Sequence, residues 1–596
     1  MTDRRFSVPD LARRLLAPIA ALLGLVAGLS VLILPSPAPT TADPTTFSAE
    51  RAMASINRLA DEPHSVLRRE AHDRARDDVI GMFTDLGYTA NVHSDPLFDF
   101  SIPEDKETFD MLSTEQQAAV KDATADTIVV DVPGKSERTM ALMAHYDSAT
   151  VEGTENDEQS YSSGTSHGAA DDGYGVAAII ETLRAIKAEG RQPENSLKIV
   201  ITDGEEIGLV GARNEMRHHR ADYDNVDLVL NLEARGMSGP AFMFETSPNN
   251  SAVAGYFLSH VKQPVSSSLL PSLYARMPNT TDMAKVIPEG FTVLNIAAIG
   301  EADHYHHATD APRYVNHSTL QHYGDQVLDL TRAWAFDGQT PTLTANGDLH
   351  FFQLWRGMTV SYPATVGTGL GCLAIIAALG VVVVRARSLR WKLVLGTVWG
   401  LTWRAASVSA AAGLVQLGAM AMKWAPETGI GPNPLLPWMF AGGALIGAGL
   451  TAHLVVRRWK EGVGQETLAA VLLLLAAACV PLMVLLPGAA YVLVLPTLAL
   501  ALTALAPQRM RPVVGALAAF IMVVIFAPMI LLIHEMLSLS AVWVTVFFAI
   551  VPVAPLALVL LQAGSRRTRR TASGAGTISG PASDDAPVAG SVTATA

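Results

Sequence analysis

Leu197-Lys-Ile-Val-Ile-Thr-Asp-Gly-Glu205-Glu206 is a mostly apolar, β-branched run that ends on carboxylates. Such a run reads as a strand covered on both faces, with its polar end in the loop beyond the strand. The pattern recurs along the chain. Thr139-Met-Ala-Leu-Met-Ala-His145 runs into Tyr146-Asp147, and Leu228-Val-Leu-Asn-Leu232 runs into Glu233. Val293-Leu-Asn-Ile-Ala-Ala298 leads to Glu301-Ala-Asp-His-Tyr-His-His307, and Thr127-Ile-Val-Val-Asp-Val132 is a further strand. Helical stretches are expected at 50–60, 66–86, 173–188 and 318–336. Within 173–188, Val176, Ile179, Ile180, Leu183 and Ile186 fall on one face. Apolar strands alternating with such helices predict an α/β fold, a three-layer α/β/α sandwich with a mostly parallel central sheet.

Sites in such sheets gather beyond the carboxyl ends of the strands. Four of the polar strand ends lie there, and Gly168-Ala-Ala-Asp171-Asp172-Gly173 joins them by opening the helix at 173. Taken singly, each has a bland reading. A histidine that ends a strand is usually structural, a Glu-Glu pair is usually solvated, and Asp171 suits a helix N-cap. Taken together, two imidazoles with three or four carboxylates suit zinc, and carboxylates are free to bridge two ions. Adjacent Glu205 and Glu206 leave the backbone in different directions, so one can bind metal while the other moves a proton. Asp147, two residues after His145, is placed to orient the imidazole.

The 596 residues carry a formal charge of −13, and only 17% are charged. Mean hydropathy is +0.27. A soluble enzyme would carry about 25% charged residues. The apolar excess lies before residue 35 and after residue 360. Net acidity and the absence of a nucleic-acid-reading motif argue against a nucleic-acid partner. Both cysteines, Cys372 and Cys479, lie in apolar runs, so neither a disulfide framework nor cysteine ligation is expected in the polar region.

The expected organisation begins with a basic cytoplasmic N-terminus (1–14), a transmembrane signal anchor (15–34) and a linker (35–48). An extracytoplasmic domain (49–345), a juxtamembrane linker (346–363), a seven-helix membrane domain (364–562) and a disordered cytoplasmic tail (563–596) follow. Cleavage of the first apolar run as a signal peptide is the alternative for 15–34. The seven later spans are expected at 364–384, 398–421, 436–456, 467–486, 489–507, 513–533 and 541–562, each about long enough to cross a bilayer. Basic clusters follow alternate spans, at Arg385–Lys392, Arg457–Lys460, Arg509 with Arg511, and Arg566–Arg570. Positive-inside bias then places residues 35–363 outside a cell membrane crossed eight times. Ionisable residues deep in the spans are nearly absent, which favours an anchor over a transporter. The acidic stretch Glu152–Glu158 reads as a solvated loop.

Five motifs in order resemble one family: Ala144-His-Tyr-Asp-Ser148, Gly168-Ala-Ala-Asp-Asp-Gly173, Asp203-Gly-Glu-Glu-Ile-Gly-Leu-Val-Gly-Ala212, Asn231-Leu-Glu-Ala234 and Tyr305-His-His-Ala-Thr-Asp310. They are similar to metallopeptidase family twenty-eight, the di-zinc aminopeptidases and glutaminyl cyclases, over about residues 50–340. Phe351-Phe-Gln-Leu-Trp-Arg-Gly357 before the spans resembles the multi-span subgroup of endoplasmic-reticulum and vacuolar membranes. The resemblance implies a zinc-exopeptidase-like fold and two zinc ions per chain. It implies that Asp171 bridges them, that His145 and Glu233 complete one site, and that Glu206 and His306 complete the other. His304 and His307 lie close by, but Tyr305 and Asp310 frame His306 as the family pattern does. Glu205 is implied as general base and Asp147 as orienting residue. Asp282 and Asp310 are possible supporting residues, although Met283 stands where the family often has histidine. The implied activity is peptide hydrolysis at a free N-terminus, on peptide or protein substrates, at a lipid bilayer. An inactive peptidase-like scaffold, a transporter with an accessory ectodomain and a glutaminyl cyclase are the rival readings. Oligomeric state is not legible.

Overall fold

The computed structural model describes residues 8–151, 161, 163–277, 280–337, 342–421, 436–537 and 542–564. The acidic stretch 152–158, the loop at 422–435 and nearly all of the expected tail lie outside them.

The sheet has seven strands: β1 (Asn91–Pro96), β2 (Thr124–Val132), β3 (Ser136–His145), β4 (Asn195–Thr202), β5 (Val226–Ala234), β6 (Ser238–Thr246) and β7 (Val293–Gly300). Their order is β1-β2-β4-β3-β5-β7-β6. The four central strands, β4, β3, β5 and β7, are parallel. The outer strands pair antiparallel, so the sheet is mixed, with its parallel part in the middle. The central strands are buried almost throughout, as their continuous apolar sequence requires.

Helices Ala49–Leu59, Gly173–Ala188 and His317–Phe336 pack against one face, and Ile56, Ile179, Leu183, Leu320, Val327 and Trp334 fill that core. Helix Val210–His218 and Met283–Val286 cover the other face over Met143, Val200 and Val229. The three-layer arrangement follows. β1 and β6 escape the sequence reading for different reasons. β1, Asn-Val-His-Ser-Asp-Pro, is a polar, mostly exposed edge strand. β6 begins Ser-Gly-Pro, a turn signature, and becomes apolar only at Ala241.

Two further strands, β8 (Leu349–Trp355) and β9 (Met358–Pro363), form a hairpin that leads into the apolar helices. Among the described residues, five helices are long and apolar enough to cross a membrane: Leu11–Leu32, Ala364–Ser388, Gly464–Leu485, Arg511–His534 and Trp543–Gly564. Tyr491–Leu505 is apolar but shorter. Trp391–Ala421 and Leu436–Lys460 are helical where two other spans were expected. The first helix lies against Arg511–Leu537 at Gly24 and Gly28. A Cβ on Gly24 would stand 2.8 Å from the Phe520 carbonyl oxygen, and one on Gly28 3.1 Å from that of Val524. Small residues four apart permit that backbone approach.

The two regions meet over β6 and β7. Phe242, Phe244, Ala297 and Ile299 pack with Val265 and Leu270 beneath Val31 and Leu532, which belong to the apolar helices' ends. The end of β7, from which the chain runs on to His306, therefore lies near the apolar region.

Candidate metal centre

Neighbouring parallel strands bring the polar ends together. His145 closes β3, Glu233 lies near the end of β5, and Glu205-Glu206 follow β4 through Gly204, whose φ of 67° makes the turn. After β7 the chain turns through Glu301 and reaches His306 with φ values of 55° and 59°. Left-handed conformations at non-glycine residues are uncommon and concentrate at functional sites. Asp171 comes from the loop before helix Gly173–Ala188, and its peptide to Asp172 is cis.

The helix cap is Asp172, whose Oδ1 accepts the Gly175 N–H at 3.0 Å. Its Oδ2 accepts the His145 N–H at 3.3 Å. Asp171 is thereby free of capping and faces both imidazoles. His145 Nε2 lies 3.3 Å from Asp171 Oδ1, and His306 Nε2 lies 3.4 Å from Asp171 Oδ2 and 3.1 Å from Glu206 Oε1. His145, Asp171 and Glu233 each offer a ligand atom within 4.8 Å of the others, and so do Asp171, Glu206 and His306. The two groups share Asp171. His145, Glu205 and Glu206 form a third such group. The structure thus collects five separate segments at one point. His304 turns away, its Nδ1 against the Thr309 carbonyl at 3.1 Å, while Tyr305 stacks on the His306 ring at 3.6 Å.

The donor set suits a pair of cations. Asp171 Oδ2, Glu206 Oε1 and both nitrogens of His306 are buried without a hydrogen-bond partner, and buried polar atoms are rarely left so. Burial pushes the Glu233 carboxyl up to about 8 and that of Glu206 up to about 7, and it holds Glu205 well above the usual range. Burial works against the His306 imidazolium, but Glu206 and Asp171 raise its pKa to about 10. Four carboxylates, Asp171, Glu205, Glu206 and Glu233, crowded around two imidazoles are the environment that a positive charge relieves.

Supporting residues hold the set. Asp147 does so in two ways. Its main-chain carbonyl accepts the His145 Nδ1 bond at 3.0 Å, and its carboxylate lies 3.5 Å from the same nitrogen, within ion-pair reach. That carboxylate is occupied by the N–H groups of Glu205 and Glu206, 3.1 Å each. Asp310 accepts the Ala170 N–H at 2.7 Å, the Ser166 hydroxyl at 3.0 Å and the Asp171 N–H at 3.4 Å. Asp282 is buried and accepts the Thr202 hydroxyl at 2.5 Å, at the end of β4.

Two residues escaped the sequence reading. Asn231 Nδ2 donates to Glu233 Oε1 at 3.1 Å; its place two residues earlier on the same strand face was the available signal. The Tyr323 hydroxyl accepts the Glu233 N–H at 2.8 Å from a helix 90 residues away, and nothing local announces it.

Residues 127–331 match the sequence profile of Peptidase family M28. The chain carries a family M28 peptidase domain. It is 29% identical over 210 residues to the vacuolar membrane protease of Lodderomyces elongisporus, a match covering 35% of this chain and 20% of that one. With the Saccharomyces cerevisiae (strain YJM789) vacuolar membrane protease it shares 25% over 339 residues, 53% of this chain and 32% of that one. The M28-bearing chain thus spans no more than about a third of these relatives' length. The zinc aminopeptidase of Bacillus subtilis superposes with a TM-score of 0.38 and 13% identity, over 50% of this chain and 98% of that one.

Proposed function

We propose that the chain is a membrane-bound, zinc-dependent aminopeptidase. The observation that carries the reading is the sharing of Asp171 between two buried ligand groups, His145/Asp171/Glu233 and Asp171/Glu206/His306. Two zinc ions held there would supply Lewis-acid polarisation of a scissile carbonyl. The chain's own residues supply the rest. Glu205 is held beside His145 and Glu206 but stands outside both groups that share Asp171, so its carboxylate is the one free to move a proton. It takes a proton from the attacking water and returns it to the departing amine. Asp147 fixes that carboxylate's backbone, and Asp172 and Asp310 fix the two ends of the Asp171 turn. The flanking basic clusters support a catalytic face outside the cytoplasm.

The test uses the full chain in detergent. A peptide library and its N-acetylated counterpart are digested and read by mass spectrometry, with wild type and Glu205→Gln. Loss of single residues from free N-termini only, abolished by E205Q with zinc content unchanged, is the expected result. Equal digestion of acetylated peptides would remove the aminopeptidase reading. Undiminished hydrolysis by E205Q would remove the assignment of the base. A wild-type chain that binds zinc and cleaves nothing would return the domain to a scaffold.

A further inference from the structure

A second constellation of imidazoles and carboxylates lies at the sheet's edge. β1 carries His93 and Asp95, two residues apart and therefore on one face of the strand. Helix Val210–His218 carries Glu215, and His219 caps it four residues later, on the same side. The fold sets the two pairs opposite one another. His93 Nδ1 lies 3.0 and 3.1 Å from the two oxygens of Glu215. His219 Nε2 lies 2.9 Å from Asp95 Oδ2. The rings stack with centroids 4.0 Å apart and planes 20° from parallel. The Glu215 side chain is fully buried, and the Tyr223 hydroxyl donates to its Oε2 at 2.6 Å. One atom each from His93, Glu215 and His219 falls within 4.8 Å of the other two.

We infer that His93, Glu215 and His219 form a third zinc site, separate from the M28 centre. Two imidazoles and one carboxylate are a donor set zinc takes, with a fourth position left to solvent. The surroundings match what ligands need. Asp95 accepts from one nitrogen of His219 and leaves Nδ1, which makes no hydrogen bond among the described residues, available to an ion. Tyr223 holds the Glu215 carboxylate in place. The imidazoles are 19% and 27% exposed, so an ion has a path in. Two separate ion pairs are the competing account. That account leaves the convergence of the two stacked rings on the buried Glu215 carboxylate unexplained. The site involves neither His145 nor any residue of the M28 groups, and β1 lies three strands from β3 in the sheet order. A bound ion would tie the edge strand to the helix that follows the Glu205-Glu206 turn, a cross-link rather than a catalytic element.

The full chain in detergent is stripped with chelator, dialysed and titrated with zinc, and bound metal is counted by mass spectrometry. Wild type is expected to hold one equivalent more than His93→Gln/His219→Gln, and that variant is expected to keep wild-type peptidase activity. The single variant His219→Gln, at the more exposed position, repeats the count if the double variant does not fold. Asp171→Asn/Glu206→Gln removes the M28 set and should still bind one zinc and gain thermal stability from it, a gain that vanishes when His219→Gln is added. That arm separates the two sites: it succeeds even if the M28 centre holds no zinc. Equal zinc content in wild type and both histidine variants would overturn the inference.

Discussion

The carboxylate of Asp147 holds the backbone of Glu205, with Oδ1 3.1 Å from its amide nitrogen, and Oδ2 holds Glu206 in the same way. A buried carboxylate that accepts two N–H groups fixes where both following carboxylates start. Asp147→Asn keeps one acceptor and turns an NH2 towards the other amide, so the Glu205-Glu206 turn is released at one point. We expect kcat to fall about 10–100-fold, the usual cost of losing a supporting partner. Zinc content should hold, because His145 keeps its bond to the residue's main-chain carbonyl. Kinetics beside metal analysis checks both; lost zinc with intact kcat per bound metal would point instead to the imidazole.

Asp310 supports the Asp171 turn from the other side, through Ala170 and Ser166. Its Oδ2 serves both Ser166 and the Asp171 N–H. In Asp310→Ala those buried donors lose their acceptor, at a cost of about 1–3 kcal/mol each. Zinc affinity should drop about 10–100-fold while the secondary structure stays. Competition with a chelator of known affinity measures the drop, and an unchanged affinity would show that the turn holds itself.

Removing zinc should destabilise the domain. Chelation leaves Glu206 and Glu233 buried near Asp171 with no cation to balance them. Restoring metal at a hundred times its dissociation constant stabilises by about 2.7 kcal/mol per site. Differential scanning fluorimetry with chelator, and again after zinc is returned, should show Tm fall and recover. A Tm indifferent to both would mean that the carboxylates are satisfied by protons alone.

Much of this was legible because it is periodic. The parallel strands announced themselves by apolar runs, and the site residues by standing just past them. Asp171 shows where such reading stops. A lone aspartate before a helix reads as a cap, yet the structure gives the cap to Asp172, because only that side chain turns back to the Gly175 N–H. The Asp147 carboxylate likewise reads as a partner of His145, but its geometry is set by a turn 58 residues later. Tyr323 reaches the site through tertiary packing alone, whereas Asp310 stood out in the sequence by its place in the Tyr305–Asp310 motif. The polar edge strand β1 has no apolar face to betray it, and so the His93–Glu215–His219 cluster was invisible until β1 lay beside the helix.

His322 offers a pH readout away from the metal centre. Burial lowers its pKa to about 4, and the Arg356 guanidinium adds to the effect. Its Nδ1 accepts the Ala241 N–H at 3.1 Å with Gln326 Nε2 3.2 Å away, and its Nε2 donates to the Gln263 carbonyl at 3.1 Å. A proton on Nδ1 destroys the first of these. Above pH 6.5 folded and unfolded chains are both neutral here, and the contribution to stability is complete. Between pH 6.5 and pH 4 the unfolded chain takes up a proton that the folded chain refuses, so stability drains away, by about 3 kcal/mol over the window. Melting curves from pH 7.5 to 4.5 should be steeper for wild type than for His322→Gln. Parallel curves would assign the acid sensitivity elsewhere.

The M28 domain should not behave as a free-standing soluble protein. Phe242 and Phe244 of β6 and Ala297 and Ile299 of β7 form an apolar face with Val265 and Leu270, and Val31 and Leu532 help to close it. Phe352, on the hairpin below, stacks on Tyr491 at 4.9 Å, and the Ser268 hydroxyl donates to the Gly488 carbonyl at 2.6 Å. Cutting the chain to residues 40–345 removes Val31, the hairpin and every later helix at once. The newly bared patch is of the kind that drives association in water. Each buried aromatic or aliphatic side chain returned to solvent costs about 1.5–3 kcal/mol. Size-exclusion chromatography with light scattering should find the fragment aggregated without detergent and recovered by it, while the full chain stays monodisperse in the same detergent. Phe244→Ser in the fragment should lessen the aggregation, because it breaks the patch at its centre. A fragment that runs as a detergent-free monomer, with the melting temperature of the full chain, would show that the apolar helices merely anchor the domain and do not complete its fold.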